Sequence, residues 1–172
     1  MRFLRLAGAV LAITMLPQPG FVSAAATAPA ADCTHWTAAS EEDEGGPALT
    51  ARICAAGTDA ALSLQCGDKP FFTYDPGPKA PAIEEGSSLP IAFTSDKAAL
   101  TLKLDYQAMD ATLAAELDQQ APLLKLLRAG HTVTVSDPAG KLPPQSFALA
   151  GASAAIAKVL AGCGKATGGD DD

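Results

Sequence analysis

The run Ala60-Ala-Leu62-Ser-Leu64-Gln-Cys66-Gly-Asp-Lys-Pro70-Phe71-Phe72-Thr-Tyr74 decides the fold. Leu62, Leu64 and Cys66 alternate with Ser63 and Gln65, a period of two that sends apolar and polar side chains to opposite faces of a strand. Gly67, Asp68 and Lys69 interrupt the alternation with turn formers before it resumes from Pro70 to Tyr74. Two strands joined tightly, with one apolar face, make an antiparallel hairpin.

The same alternation recurs on both sides. It predicts strands over residues 36–40 and 49–54 before the hairpin, and 88–94 and 100–106 after it. The intervening stretches 41–47, 57–59, 75–81 and 95–97 are rich in Gly, Pro, Asp, Glu and Lys, and read as breaks. From 108 to 127 the pattern changes. Met109, Leu113, Leu117, Leu123, Leu124 and Leu127 are spaced for a helix, with Pro122 opening a second short segment and Gly130 placed for a left-handed cap. Residues 131–136 alternate again with Val133 and Val135 inward, residues 137–140 form a turn, and Phe147 and Leu149 share one face of a last strand. A closing helix over 152–161 carries Ala152, Ala155, Ile156, Val159, Leu160 and Cys163 on one stripe. The fold class is α+β: a curved antiparallel sheet of about seven or eight strands with a C-terminal helix and one or two short helices packed on it.

The ends read differently. Arg2 and Arg5 precede an apolar stretch from Leu6 to Leu16 and a Pro19-Gly20 break, the pattern of a secretory signal peptide, with Val22 and Ala24 small enough for cleavage after Ala24. The apolar stretch falls short of the roughly 20 residues that span a bilayer. Lipid attachment at Cys33 is disfavoured because Asp32 precedes it. Residues 25–32 read as a flexible lead-in, 33–163 as one disulfide-bonded domain, and 164–172 as a disordered acidic tail. Export to the periplasm is the expectation, with no membrane span after cleavage.

Without the leader, ten Lys and Arg face nineteen Asp and Glu, a net charge of −9. That disfavours nucleic acid as a partner. It suits solubility, and it would steer a cationic protein toward this one.

All four cysteines lie in the exported part, where disulfides persist. Strand parity discriminates among the three pairings. Cys66 shares a face with Leu62 and Leu64, and Cys163 continues the apolar stripe of the closing helix, so these two point at one core. Cys54 lies on the face opposite Leu49, Ala51 and Ile53, which leaves Cys33 as its mate. A Cys54–Cys66 bridge would join opposite faces if the turn at Gly57 is tight, although a bulge would reverse that parity.

Catalytic chemistry is sparse. His131, Ser136 and Asp137 have the residue types of a hydrolase triad, but they lie along one strand and turn, where triad geometry is hard to build. His35 stands near Cys33 as a possible metal ligand, but oxidation of Cys33 competes with metal. Glu84 with Glu85, and Glu116 with Asp118, are paired carboxylates of the kind that any acidic surface carries. There is no phosphate loop, no dinucleotide fingerprint and no sign of a cofactor. The expectation is a protein that is not an enzyme, with a small hydrolase centred on His131 as the alternative.

Two features remain for recognition. The acidic run Glu41, Glu42, Asp43 and Glu44 reads as a solvated loop able to dock a basic partner, which makes an inhibitor of a cationic hydrolase such as lysozyme a second possibility. Phe71, Phe72 and Tyr74, with Trp36, are the aromatic candidates for partner contact, since two adjacent phenylalanines on a strand must face opposite ways.

The closing run Phe147-Ala-Leu149-Ala-Gly151, with an Ala-rich helix ending in Leu160-Ala-Gly-Cys163, an early tryptophan and short strands, resembles two groups of small exported Gram-negative proteins. These are the invasion-associated locus B family and the periplasmic accessory proteins of type VI secretion. The resemblance implies a noncatalytic, β-rich envelope protein that meets another protein or the cell wall, and it brings no functional residue onto this chain.

Overall fold

The computed structural model describes residues 33–43 and 46–164. The expected leader and cleavage site, the expected lead-in up to residue 32, residues 44–45 and the stretch from 165 onward lie outside the described residues. Nine strands and two helices follow in order: β1 Thr37–Asp43, β2 Gly46–Cys54, β3 Ala61–Cys66, β4 Pro70–Asp75, β5 Ser88–Ser95, β6 Ala99–Gln107, β7 Thr112–Glu116, α1 Pro122–Ala129, β8 Thr132–Ser136, β9 Gln145–Ala148 and α2 Ala152–Leu160.

All nine strands form one antiparallel sheet in the order β1-β2-β3-β4-β7-β6-β5-β8-β9. The hairpin that decided the fold is β3 and β4, with Leu64 opposite Phe72 and Leu62 opposite Tyr74. One parity runs through every strand. Ile53, Leu62, Phe72, Leu113, Leu104, Phe93, Val133 and Phe147 all point to the same side and are buried there with the leucines of α1 and with Ala152, Ile156 and Val159 of α2. Both helices therefore cover the same face of the sheet. Trp36 N–H donates to the Ala150 carbonyl at 3.2 Å, so the approach to the first strand meets the exit from the last. The sheet curves around its core without β1 and β9 pairing.

Three sequence expectations need correction. Residues 112–116 are a strand, β7, pairing with β4 through Tyr74 opposite Leu113 and with β6 through Tyr106 opposite Leu113. Leu113 and Leu117 imitate helical spacing, while Ala114, on the outer side, is small enough to be covered by its neighbours and hides the period of two. β7 raises the strand count above the seven or eight expected, to nine. Met109 is no core residue: it sits in the loop of the β6–β7 hairpin and is 91% exposed. The acidic run is not a loop either, because β1 continues to Asp43, with Glu41 opposite Ala48 and Glu42 opposite Pro47. An edge strand tolerates charge that a central strand would reject.

Gly130 gives the third correction. It ends α1 in extended backbone, φ −97°, not in a left-handed cap. A Cβ there would meet Asp96 Oδ1 at 2.9 Å, Ser95 Cβ at 3.1 Å and the Leu149 side chain at 3.2 Å. The glycine makes room for the β5–β6 turn. Gly151 is the converse case. It does adopt positive φ, +84°, at the start of α2, and a Cβ there would lie 2.7 Å from the Trp36 carbonyl oxygen.

Cys33 is bonded to Cys54, with Cα atoms 5.2 Å apart, and Cys66 to Cys163, with Cα atoms 5.1 Å apart. These are the pairs that strand parity favours. The second clamps Cys163, three residues beyond α2, to the end of β3, and Gly164 N–H adds a bond to the Gly67 carbonyl at 3.2 Å. Among the described residues, no helix is long and apolar enough to cross a membrane.

Candidate functional site

The three residue types of the possible triad do not converge. His131 precedes β8, whereas Ser136 ends it, and five residues of strand separate them by about 16 Å. Asp137 is buried and fully engaged in its turn, its carboxylate oxygens accepting the Ala139 N–H at 2.8 Å and the Lys141 N–H at 2.9 Å.

His131 has a different carboxylate. Asp96, in the β5–β6 turn, accepts the His131 backbone N–H on Oδ1 at 3.0 Å and lies 3.2 Å from the ring Nδ1 through Oδ2. The backbone bond, then the ring, hold the Asp96 carboxyl down to about 2, with Lys97 Nζ at 3.5 Å contributing further. The surrounding recess is a shallow one of Thr94, Ser95, Thr132 and Thr134, and the imidazole is 87% exposed. Water reaches the pair freely, so the arrangement ties α1 and β8 to a turn and lacks the enclosed setting that activates a nucleophile. Nothing in the sequence flagged Asp96, which stands 35 positions from its partner.

The other candidates disperse. Cys33 is oxidised and so is not available to bind metal with His35, whose Nδ1 lies 3.2 Å from Thr34 Oγ1. No group of three or more His, Cys, Asp or Glu among the described residues is arranged to hold a metal ion. Glu116 faces Lys69 at 3.7 Å on the open surface. Phe72 and Tyr74 are core residues at 0% and 1% exposure, and so is Trp36, which removes them as partner contacts. Their strand positions select the covered face. Burial, followed by the Asp75 charge, pushes the Tyr74 hydroxyl up to about 12. Phe71 is on the uncovered face, half-buried, near Gly67 and Glu116. Of the acidic run, Glu41 lies on β1 half-buried, the strand includes Glu42 and Asp43, and Glu44 lies outside the described residues.

What the sheet does present is its second face. Cross-strand neighbours form a continuous row over seven strands: Thr37 beside Arg52, then Ser63, Thr73 and Ala114, then Asp105 and Ser88. At ordinary strand spacing this row is about 29 Å long. It carries two charged side chains, Arg52 and Asp105, among small ones; the Ser63 and Thr73 hydroxyls bond to each other, and the Ser88 hydroxyl donates to Asp105 Oδ1. In the adjoining row the Gln65 side-chain amide donates to Thr50 Oγ1 at 3.1 Å, and Phe71 lies next to Gln65. The result is a low surface on which Ser63, Thr73 and Ser88 are half-exposed, Ala114 and Thr50 are covered by their neighbours, and Phe71 stands at the border. Alternation announced the two faces of each strand, but the row depends on register, which sequence does not give.

No protein-family model, curated protein or solved structure matches this chain.

Proposed function

We propose that this is an exported, noncatalytic binding protein of the periplasm or cell envelope, working through protein or cell-wall contacts on the uncovered face of its sheet. The observation that carries the reading is the division of labour between the two faces. Both helices and every large apolar side chain of the core serve one side, and the other carries a seven-strand row of small and hydroxyl side chains with Arg52 and Asp105 as its charges. Such a face offers donors and acceptors already ordered by a rigid lattice, so binding there costs little conformational entropy. Two disulfides suit an oxidising compartment. The resemblance of the 147–163 run to exported envelope proteins points the same way.

The test is a photo-crosslinking residue placed at Thr73, in the middle of the row, and in a control at Lys125 on α1, in intact producing cells. Adducts from Thr73 and not from Lys125 are expected, and their mass tells a protein partner from a cell-wall fragment. Adducts from Lys125 alone would move the contact to the helical side. Mass spectrometry of the mature protein, expected to begin at Ala25, checks export.

A further inference from the structure

The connection between β4 and β5, residues 76–87, is the longest in the fold because it must pass two intervening strands of the sheet. Opposite it runs the β8–β9 connection, residues 137–144. Between them lies a cleft of about 300 Å³, separate from the hydroxyl row's centre, with Ile83, Leu89 and Leu142 as its apolar lining and Glu84, Ser87 and Lys141 as its polar lining.

Both walls are held from within. On one side Asp137, itself buried, pins the Ala139 and Lys141 amides with its two carboxylate oxygens. On the other, the Ser87 N–H and hydroxyl both donate to the Glu84 carbonyl, at 3.1 and 2.5 Å, closing a turn in which Gly86 takes φ +73°. The Ser87 carbonyl in turn accepts the Tyr106 N–H at 2.9 Å, which ties this turn to the sheet. The amides of Ser87, Ala139 and Lys141 are thus committed within the walls. The Glu84 carboxylate and the Lys141 ammonium are not: neither has an ion-pair or hydrogen-bond partner among the described residues.

We infer that this cleft binds a small zwitterion with an apolar side chain, a free dipeptide of the Ala-Leu kind. Its ammonium group meets Glu84, its carboxylate meets Lys141, and its aliphatic part lies against Ile83, Leu89 and Leu142. One charge of each sign, one from each wall, over an apolar floor excludes a simple anion or cation as the best fit. The size agrees, since ligand pockets run from roughly 300 to 1,000 Å³ and this one stands at the lower limit. With both charges at an exposed rim the pairing energy is modest, so the affinity is in the micromolar to millimolar range and not tighter. The cleft adjoins the end of the row at Ser88, which lines both, but the two proposals are read at different places, Thr73 for the sheet face and the Glu84 and Lys141 rim for the cleft, so either can fail without the other.

The experiment is a titration of the isotope-labelled protein with free Ala-Leu, followed by amide NMR. Saturable shifts are expected at Ile83, Ser87 and Leu142, with binding weakened at least fivefold by Glu84→Gln and by Lys141→Met. Acetylating the dipeptide's amine should weaken its binding to the original protein and leave its binding to the Glu84→Gln variant unchanged, because the group that Glu84 recognises has gone. Lys125→Met, on exposed α1 surface, should change nothing. Absence of saturable shifts at millimolar dipeptide, or equal binding of a dipeptide blocked at both ends, or indifference to both rim substitutions, overturns the assignment.

Discussion

Cys66 and Cys163 stand 97 positions apart in the chain and 5.1 Å apart at Cα, so the end of β3 and the turn that follows α2 are one covalent unit. The other bridge, Cys33–Cys54, closes only 21 positions. On the chain-entropy account the long bridge contributes about 4.7 kcal/mol and the short one about 3.3 kcal/mol. Replacing each pair by serine and measuring urea unfolding should therefore show the Cys66/Cys163 variant to be the weaker protein by about 1 kcal/mol. An equal or reversed order would mean that the closing helix holds to the sheet without its clamp.

Leu113 and Met109 separate the strand reading of residues 112–116 from a helical one. Leu113→Ala should cost about 2–5 kcal/mol, as for a fully buried leucine. Met109→Ser should change stability by less than about 0.5 kcal/mol. A helix through both would have made them similar. Amide exchange gives a second readout, with 113–115 slow and 108–111 fast.

Room, not conformation, is the demand at Gly130. Gly130→Ala is expected to lose about 1–3 kcal/mol by overpacking against the Asp96 carboxylate. In an Asp96→Ala background the same substitution should cost less, a coupling that thermal unfolding of the four proteins of the cycle would reveal. Gly151→Ala, combining positive φ with a backbone contact that cannot yield, should be the more damaging change.

Acid should weaken the His131–Asp96 tie in a defined window. The Asp96 carboxyl titrates near 2 when folded against 3.8 as its ordinary value, so its contribution is complete above about pH 4 and is lost as pH falls through about 2. Stability measured from pH 5 downward should drop less steeply in Asp96→Asn than in the original protein. Parallel acid limbs would show that the carboxylate adds nothing to folding.

At the alkaline end the sign reverses. Tyr74 ionises near 12 in the folded protein and near 10 once exposed, so deprotonation favours unfolding as pH climbs past 10. Ultraviolet titration should show part of the tyrosinate signal delayed to about pH 12, and Tyr74→Phe should remove that delayed part.

The sheet was legible because β2, β3, β4 and β5 each bury one face and wet the other, which writes their period into the residues. Parity then carried over to Cys66 and Cys54. β7 was not legible, because Ala114 is apolar on the side that faces outward. Nor was the β1 extension, where charge in an edge strand looks like charge in a loop. The candidate site was poorly legible for a different reason. Asp96 meeting His131, Arg52 aligned with Ser63, and Glu84 sharing a cleft with Lys141 are all consequences of register and topology. Local composition carries no trace of them. Phe72 and Tyr74 show the opposite error, aromatic residues credited to a surface when the strand's own alternation required one parity to go inside.

An unclosed sheet leaves two borders on which a foreign strand could grow. β9 is only four residues long, which offers little template. β1 is the longer border, and there α2 sends Lys158 Nζ to the Ala38 carbonyl at 3.1 Å, occupying an acceptor that an incoming chain would need. A single ammonium group thus covers the edge at the point where an added strand would have to bond. Lys158→Ala should raise the tendency of concentrated protein to form fibrils or ribbons well before it alters the fold.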